Sequence, residues 1–401
     1  MFDLKTLIRP NILKLEPYRC ARDDFKEGIL LDANENTIGP AVADLSPEED
    51  ELLLNRYPDP HQVELKQQIV DFRNSEALSE LKNFETDKLT PDNLCLGVGS
   101  DESIDLLLRC VCVPGKDKVL LCPPTYGMYS ICATVNEVEI VKVPLTTPDF
   151  QVDNTKVLEA VTADPNIKVL YITSPGNPTG KLVAIETILD LVEKCKANWN
   201  GVIVVDEAYI DFAALDQNGK SKSLSVLVNQ YPNLVVLQTL SKSFGLAGIR
   251  LGVTYANTTL IRYLNAMRYP YNISSLTANV AIRASNKEGL STMKEYCSRI
   301  IEQRASVLEK LQAFKGVGKN LGGLDANFIL VEFLDKEGKP SNDVAKKVYQ
   351  ILAVDNGVVV RFRGSELNCT GGLRISIGTP EENKTLLEKL DKVLQQVNGF
   401  N

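Results

Sequence analysis

Between residues 94 and 239 the chain repeats one pattern: short, nearly continuous apolar runs, each closed by a cluster of glycine, proline or polar residues and separated by helix-length segments. Leu94-Cys95-Leu96 runs into Gly97-Val98-Gly99-Ser100-Asp101-Glu102-Ser103, after which Ile104, Leu107, Leu108 and Val111 mark one helical face, with Ser100 as the expected cap. Val119-Leu120-Leu121-Cys122 ends at Pro123-Pro124-Thr125-Tyr126, and Gly127 to Thr134 continues as a helix. Further strands are expected at Glu139 to Val143, Val169 to Thr173, Val202 to Asp206 and Leu234 to Gln238, with helical patterns around Val157 to Val161 and Ile185 to Lys196. Strands apolar on both faces and spaced by helices predict an α/β fold with a mainly parallel central sheet. The polar strand ends then face a ligand crevice.

The flanks read differently. Ile29 to Leu31 is a short extended candidate before the turn-prone stretch 32–40, Val63 to Phe72 is helical, and the charged stretch from Ser75 to Lys88 reads as an exposed excursion. After residue 267 the pattern alternates a helix at Thr292 to Phe314, a strand at Ala326 to Phe333 and a helix at Val344 to Leu352. Strands at Val358 to Arg361 and Leu373 to Ile377 follow, then a terminal helix after Pro380. The expected division is an N-terminal arm with part of a small lobe (1–59), a large domain (60–267), and a connecting region with a smaller α+β lobe (268–401).

Composition narrows the function. With 44% hydrophobic residues in 401, the chain can bury a large core. Its net charge of -8, spread rather than blocked, argues against nucleic-acid or membrane-surface binding. Any anionic ligand must therefore be held by local donors. Met1 to Pro10 carries Asp3, Lys5 and Arg9 and lacks an apolar run, so a cytoplasmic setting is expected. The nine cysteines include a Cys110/Cys112 pair with no second ligand cluster and read as reduced structural residues. His61, the single histidine, sits in a turn-like Tyr57-Pro58-Asp59-Pro60-His61 stretch. Neither a multi-histidine metal site nor a histidine-based triad is expected, and no metal is assigned.

The chemistry concentrates at strand ends. Thr239-Leu240-Ser241-Lys242-Ser243-Phe244-Gly245-Leu246-Ala247-Gly248-Ile249-Arg250 follows an apolar strand and lacks the glycine spacing of a phosphate loop. A lysine there can form a Schiff base with an aldehyde, while Thr239, Ser241 and Arg250 can hold a phosphate; the alternative is a lysine on a solvated turn. Asp206 ends a very apolar strand and needs a partner, either a protonated ring nitrogen or nearby helix amides. Tyr209 and Asn177, the latter in Ser174-Pro175-Gly176-Asn177-Pro178-Thr179-Gly180, can donate to a ring oxygen or bond only backbone. Backbone amides at Gly99, Ser100 and Asp101 can meet a phosphate at a helix start, and Tyr126 can cover an aromatic ring or close a loop.

In this combination and order the chain resembles the histidinol-phosphate aminotransferases, within the fold-type I pyridoxal-phosphate aminotransferases, from Leu15-Glu16-Pro17-Tyr18 to Leu373-Arg374-Ile375-Ser376-Ile377-Gly378-Thr379. The resemblance implies pyridoxal 5'-phosphate bound through Lys242, with Asp206 at the ring nitrogen, Tyr209 and Asn177 at the ring oxygen, and Tyr126 against the ring. Around the phosphate it implies Ser100, Thr239, Ser241 and Arg250, with amides from Gly99 onward. It also implies a homodimer in which Tyr57 reaches the partner's coenzyme phosphate, and substrate contacts from Tyr18, Asn34, Tyr271, Asn272, Asn327, Arg361 and Arg374, with Arg374 the main anion receptor. The implied activity is reversible amino transfer between L-histidinol phosphate and 2-oxoglutarate, a step of histidine biosynthesis. An aromatic-amino-acid aminotransferase and a noncatalytic coenzyme-binding protein are the alternatives. Partners are small amino donors and oxo acceptors.

Overall fold

The computed structural model describes residues 1–25, 27–76 and 88–398. Among these residues the strands form two sheets. The larger contains β1 (Leu94–Val98), β2 (Lys118–Leu121), β3 (Glu139–Lys142), β4 (Ile167–Thr173), β5 (Val202–Asp206), β6 (Leu234–Thr239) and β7 (Leu251–Tyr255). Their order is β1-β7-β6-β5-β4-β2-β3. The block from β6 to β3 is parallel, and β7 runs antiparallel to both β6 and β1. Consequently β1 points the same way as the parallel block, and the carboxyl ends of β1, β4, β5 and β6 share one edge.

The strands are apolar on both faces because both faces are covered. On β5, Ile203 and Val205 join one core cluster, while Val202 and Val204 join the cluster on the opposite face. All four are at most 1% exposed, and each contributes roughly 1.5–3 kcal/mol of burial. Helices Val63–Ser75, Asn154–Ala163 and Ile185–Asn198 contribute to the first cluster, while helices Gly99–Val111, Met128–Val135 and Thr258–Met267 contribute to the second. The smaller antiparallel sheet contains β8 (Val317–Asn320), β9 (Phe328–Phe333), β10 (Arg361–Phe362) and β11 (Gly372–Ser376), in the order β10-β11-β9-β8. It packs with helices Lys287–Gln312, Asn342–Val354 and Pro380–Asn398 around a third core.

Three local expectations change. Ile29 to Leu31 forms no strand: Ile29 is 90% exposed and Leu31 74%, and among the described residues the triplet pairs with no strand, the Leu30 carbonyl accepting instead from Arg56 Nη1 at 3.1 Å. The strand expected at Val358 to Arg361 is reduced to Arg361–Phe362, where pairing with β11 begins. Ser100 is not the helix cap. The helix starts at Gly99, and the Glu102 carboxylate instead accepts the Val98 amide. Within the Ser75 to Lys88 excursion, residues 77–87 lie outside the described residues.

A close backbone approach fixes the edge where β1 turns into its helix. Gly99 adopts φ +76, and its amide donates to the Arg250 carbonyl at 3.0 Å. A Cβ on Gly252 would lie 2.4 Å from both the Gly99 carbonyl carbon and the Ser100 nitrogen. Only glycine therefore lets β7 press against this helix start, which also brings Arg250 beside it.

Candidate active site

A cavity of about 250 Å³ opens at the shared strand edge, lined by Ser100, Asp101, Tyr126, Thr173, Asn177, Asp206, Ala208, Tyr209, Thr239, Ser241, Lys242, Ala247, Arg250, Arg363 and Arg374. The fold thus collects residues more than 200 positions apart in sequence, from five strand ends and from the smaller sheet.

Asp206 ends β5 with 3% exposure, and burial raises its carboxyl above the usual range. One oxygen accepts the Tyr129 hydroxyl at 2.7 Å and the other accepts the Ala208 amide at 3.1 Å. Tyr129 also shares a bond with Thr173 at 2.9 Å and stacks on Tyr171, so the aspartate is held by a rigid group. Lys242 follows β6. Burial, reinforced by the Arg374 and Arg250 charges, lowers its proton affinity, and its ammonium lies 5.7 Å from the Tyr209 ring centre. Burial pushes the Tyr209 hydroxyl up to about 12, keeping it protonated as a donor near neutral pH.

Arg374, on β11, donates to Asn177 Oδ1 at 2.5 Å and lies over Phe328, 5.1 Å from the ring centre. Because the asparagine oxygen is occupied, its Nδ2 remains the group to offer a ligand. Thr239 Oγ1 lies within hydrogen-bond distance of Ser241 Oγ (2.9 Å) and the Leu251 carbonyl (3.1 Å) and accepts the Ser241 amide at 3.1 Å, which fixes the turn that carries both hydroxyls. Arg250 adopts φ +53, contacts Asp101 at 3.4 Å, and overhangs Gly99, where a Cβ would meet its Nη2 at 2.5 Å. Tyr126 donates to Asp101 at 3.1 Å.

Eleven of the residues singled out from the sequence line this cavity, and Gly99 lies beneath it. The others do not line it. Tyr57 stacks on Tyr271 with centres 4.6 Å apart, and Tyr18 meets Tyr271 edge-on at 5.6 Å, forming an aromatic cluster of their own. Asn272 accepts from Arg268 at 2.8 Å and donates to the Leu96 carbonyl at 2.9 Å. Asn34 is exposed with φ 57, Asn327 accepts the Ile377 amide through its carbonyl, and Arg361 is exposed on β10. Thr173, Ala208, Ala247 and Arg363 line the cavity without having been singled out, and Tyr129 supports it from behind. His61 accepts or donates at 2.8 Å with Asp23 beneath the N-terminal arm, and all nine cysteines are free thiols. Among the described residues no histidine, cysteine and carboxylate group suits a metal ion, and no helix is long and apolar enough to cross a membrane.

The model of the aminotransferase class I and II family matches residues 24–390. A histidinol-phosphate aminotransferase of Candida maltosa is 66% identical over 99% of this chain and 100% of its own length, and that of Saccharomyces cerevisiae is 51% identical over 99% of both. A crystal structure of histidinol-phosphate aminotransferase from Sinorhizobium meliloti in complex with pyridoxal-5'-phosphate shares the fold, with a TM-score of 0.73 at 22% identity over 91% of this chain and 90% of that one. Fold, strand-end cavity and full-length similarity together make this chain a member of the aminotransferase class I and II family, in its histidinol-phosphate aminotransferase branch.

Proposed function

We propose that this protein transfers the amino group of L-histidinol phosphate to 2-oxoglutarate, reversibly forming imidazole-acetol phosphate and L-glutamate in histidine biosynthesis, with pyridoxal 5'-phosphate as its coenzyme. The observation that carries the reading is the placement of Lys242, Asp206 and Arg374 around one cavity in a chain so similar to that branch. The residues fit the coenzyme. A buried carboxylate facing the cavity suits a protonated ring nitrogen, and two donors, Tyr209 and Asn177 Nδ2, suit a ring oxygen. The Gly99 to Asp101 helix start with Ser241 and Arg250 suits a phosphate.

When bound, pyridoxal phosphate supplies an aldehyde for the amine and a conjugated ring that accepts electrons. The chain's residues do the rest. Lys242 Nζ would hold the coenzyme through its amine, and the same amine would move the proton at the substrate carbon that bears nitrogen. Its lowered proton affinity suits that exchange. Asp206 keeps the ring nitrogen protonated, and Tyr129 fixes its angle. Arg374 receives the donor's anionic end: phosphate from histidinol phosphate, carboxylate from glutamate.

On this reading the protein is a cytoplasmic homodimer, divided into the arm (1–59), the large domain (60–267) and the remainder (268–401). The strands of the larger sheet lie within 94–255 and those of the smaller within 317–376, which supports that division. The Tyr18, Tyr57 and Tyr271 cluster supports the dimer. It lies outside the chain's own cavity, next to an arm exposing Phe25, Ile29, Leu31, Ile38 and Leu53. Tyr57 is then offered to the partner's coenzyme phosphate, while Tyr18, Asn34, Tyr271, Asn272, Asn327 and Arg361 are the further substrate-binding positions.

The test is glutamate formation by purified protein with added coenzyme, histidinol phosphate and 2-oxoglutarate, run beside phenylalanine. Turnover of phenylalanine alone, or coenzyme binding without glutamate, overturns the reading. For the shared site, Tyr57→Ala and Lys242→Ala chains are co-expressed. Random pairing should restore about a quarter of parental activity, because half of the dimers carry one intact site of two. Activity no greater than that of the Tyr57→Ala chain alone rejects sharing.

A further inference from the structure

A second cavity, of about 610 Å³, opens beside the amino end of β1, whereas the candidate active site lies at that strand's carboxyl end; no residue lines both. Lys66, on helix Val63–Ser75, lines this second space. It is 8% exposed, and its ammonium makes no hydrogen bond or ion pair with any described residue. The other buried cation of the same helix, Arg73, is 4% exposed and is paired with Asp211 and Gln238. A buried charge without a partner is strongly destabilising, so an unpaired one calls for a ligand or a function. Burial first, and then the Arg268 charge, lower the proton affinity of Lys66, while Asp92 and Asp59 act on it in the opposite sense without forming an ion pair. The other lining cations are already paired. Arg262 bonds Glu16, and Arg268 donates to Asn265 at 2.9 Å, to Asn272 at 2.8 Å and to the Pro60 carbonyl. His61, which also lines the space, bonds Asp23. Thr258 and Thr259 bring the first turn of helix Thr258–Met267 to the cavity wall, so the positive end of a ten-residue helix borders it.

We propose that this cavity is a second small-molecule site, separate from the catalytic centre, which takes a phosphate-bearing compound with an apolar body and pairs its phosphate with Lys66. The ammonium supplies a charge and three donors but no acceptor, so a neutral or cationic ligand leaves it unanswered. A phosphate monoester carries close to two negative charges near neutral pH and three acceptor oxygens. It can use the lysine, the two threonine hydroxyls and the helix start together, where a carboxylate with two oxygens uses fewer of them. The space is larger than a bare phosphate fills and falls within the size range of metabolite sites. Pro17, Pro60, Pro91, Pro270, Val63 and Ile261 give it apolar walls for the rest of the ligand. Asp92, the one carboxylate among the lining residues, opposes an anion. Because Arg262 and Arg268 are committed to protein partners, Lys66 is the lining cation that offsets Asp92, and removing it should remove the site.

The experiment uses the holoenzyme and the variants Lys66→Met and Lys66→Arg, each checked for circular dichroism, bound coenzyme and oligomeric state. Phenyl phosphate, inorganic phosphate and benzoate are the probes. Equilibrium dialysis counts every bound probe molecule, while the coenzyme's absorbance reports those bound at the catalytic centre, so the difference is the second site. In the parent, phenyl phosphate should fill a site that leaves the absorbance unchanged, more tightly than inorganic phosphate or benzoate does. Lys66→Met should weaken that silent site by at least about tenfold, the range for losing a charge-assisted bond, and alter the absorbance-reporting affinity by less than about twofold. Lys66→Arg, which keeps the charge, should retain the silent site within about tenfold of the parent. Without any probe, Lys66→Met should melt no lower than the parent, because an apolar chain of similar length replaces an unpaired buried charge. A parent with no silent site, a silent site unchanged in Lys66→Met, or benzoate bound as tightly as phenyl phosphate each overturns the proposal. A Lys66→Met chain that melts well below the parent assigns the lysine a structural role and overturns it too. Should that variant fail to fold, Lys66→Gln is read in its place against the same outcomes.

Discussion

Replacing Asp211 with asparagine should destabilise the large domain far more than the loss of a surface ion pair would. Arg73, on helix Val63–Ser75, is 4% exposed and donates to Asp211 at 2.7 and 3.3 Å and to Gln238 at 2.8 Å. Burial opposes the guanidinium's charge, yet Asp211 outweighs it and raises its proton affinity. Asp211 also accepts the Ser243 hydroxyl at 2.7 Å, one residue from Lys242. Asparagine preserves shape but leaves a buried cation without its counter-charge, a change that costs about 3–5 kcal/mol. At about 2–4 °C per kcal/mol for a domain of this size, the melting temperature of the coenzyme-free protein should fall by roughly 6–20 °C. The double change Arg73→Met with Asp211→Leu removes both charges and should recover most of that loss. A second readout separates positioning from stability. Freed from Asp211, the Ser243 segment should let the visible titration of the lysine-bound coenzyme shift in Asp211→Asn. A melting temperature within 1 °C of the parent would refute the argument from buried charge, and an unshifted titration would confine Asp211 to a structural role.

Two further outcomes are expected. Lys242→Ala should abolish borohydride-stable attachment of the coenzyme and nearly all turnover while retaining some noncovalent binding, since the phosphate and ring contacts remain; peptide mass analysis after reduction checks it, and a different modified lysine refutes it. Glu35 bonds Arg22 at 2.5 Å, Arg56 at 2.8 Å and the Tyr57 amide at 2.7 Å, and the Arg22 bond chiefly lowers its carboxyl to about 2. A depressed carboxyl stabilises the fold fully above about pH 4.5 and loses that stabilisation as pH falls through about 2. Glu35→Gln should therefore cost the arm about 1–2 kcal/mol at neutral pH, after discounting for solvent screening, and flatten that acid dependence. Hydrogen exchange at the Tyr57 amide reads it, and parental protection there counts against the clasp.

The parts of the site legible in the sequence are those whose position follows from local pattern. Asn177, Asp206 and Lys242 each come directly after or at the end of an apolar run, and parallel strands carry all such ends to one edge. What escaped depends on register or on packing between distant segments. Tyr129 follows Met128 at the start of a short helix with the spacing of a core residue, and core it is, yet its hydroxyl reaches Asp206 through the sheet's edge. β7 follows the lysine segment with only the three-residue 3-10 helix Ala247–Ile249 between, too short for a crossover, so a run resembling its neighbours turns antiparallel. Arg361 and Arg363 share the alternation of an extended chain, but β10 is two residues long, and only its pairing with β11 decides which arginine meets the cavity.

The charge distribution explains why such details matter. The whole chain carries a net charge of -8, so its overall field opposes anionic ligands. Inside the cavity the balance reverses, with Lys242, Arg250, Arg363 and Arg374 set against Asp101 and Asp206. Exposed charges beyond about 10 Å are screened by salt, whereas these groups act at close range across a partly buried space. Binding thus depends on few side chains brought from distant segments, so the local donors, and not the field of the whole chain, decide it.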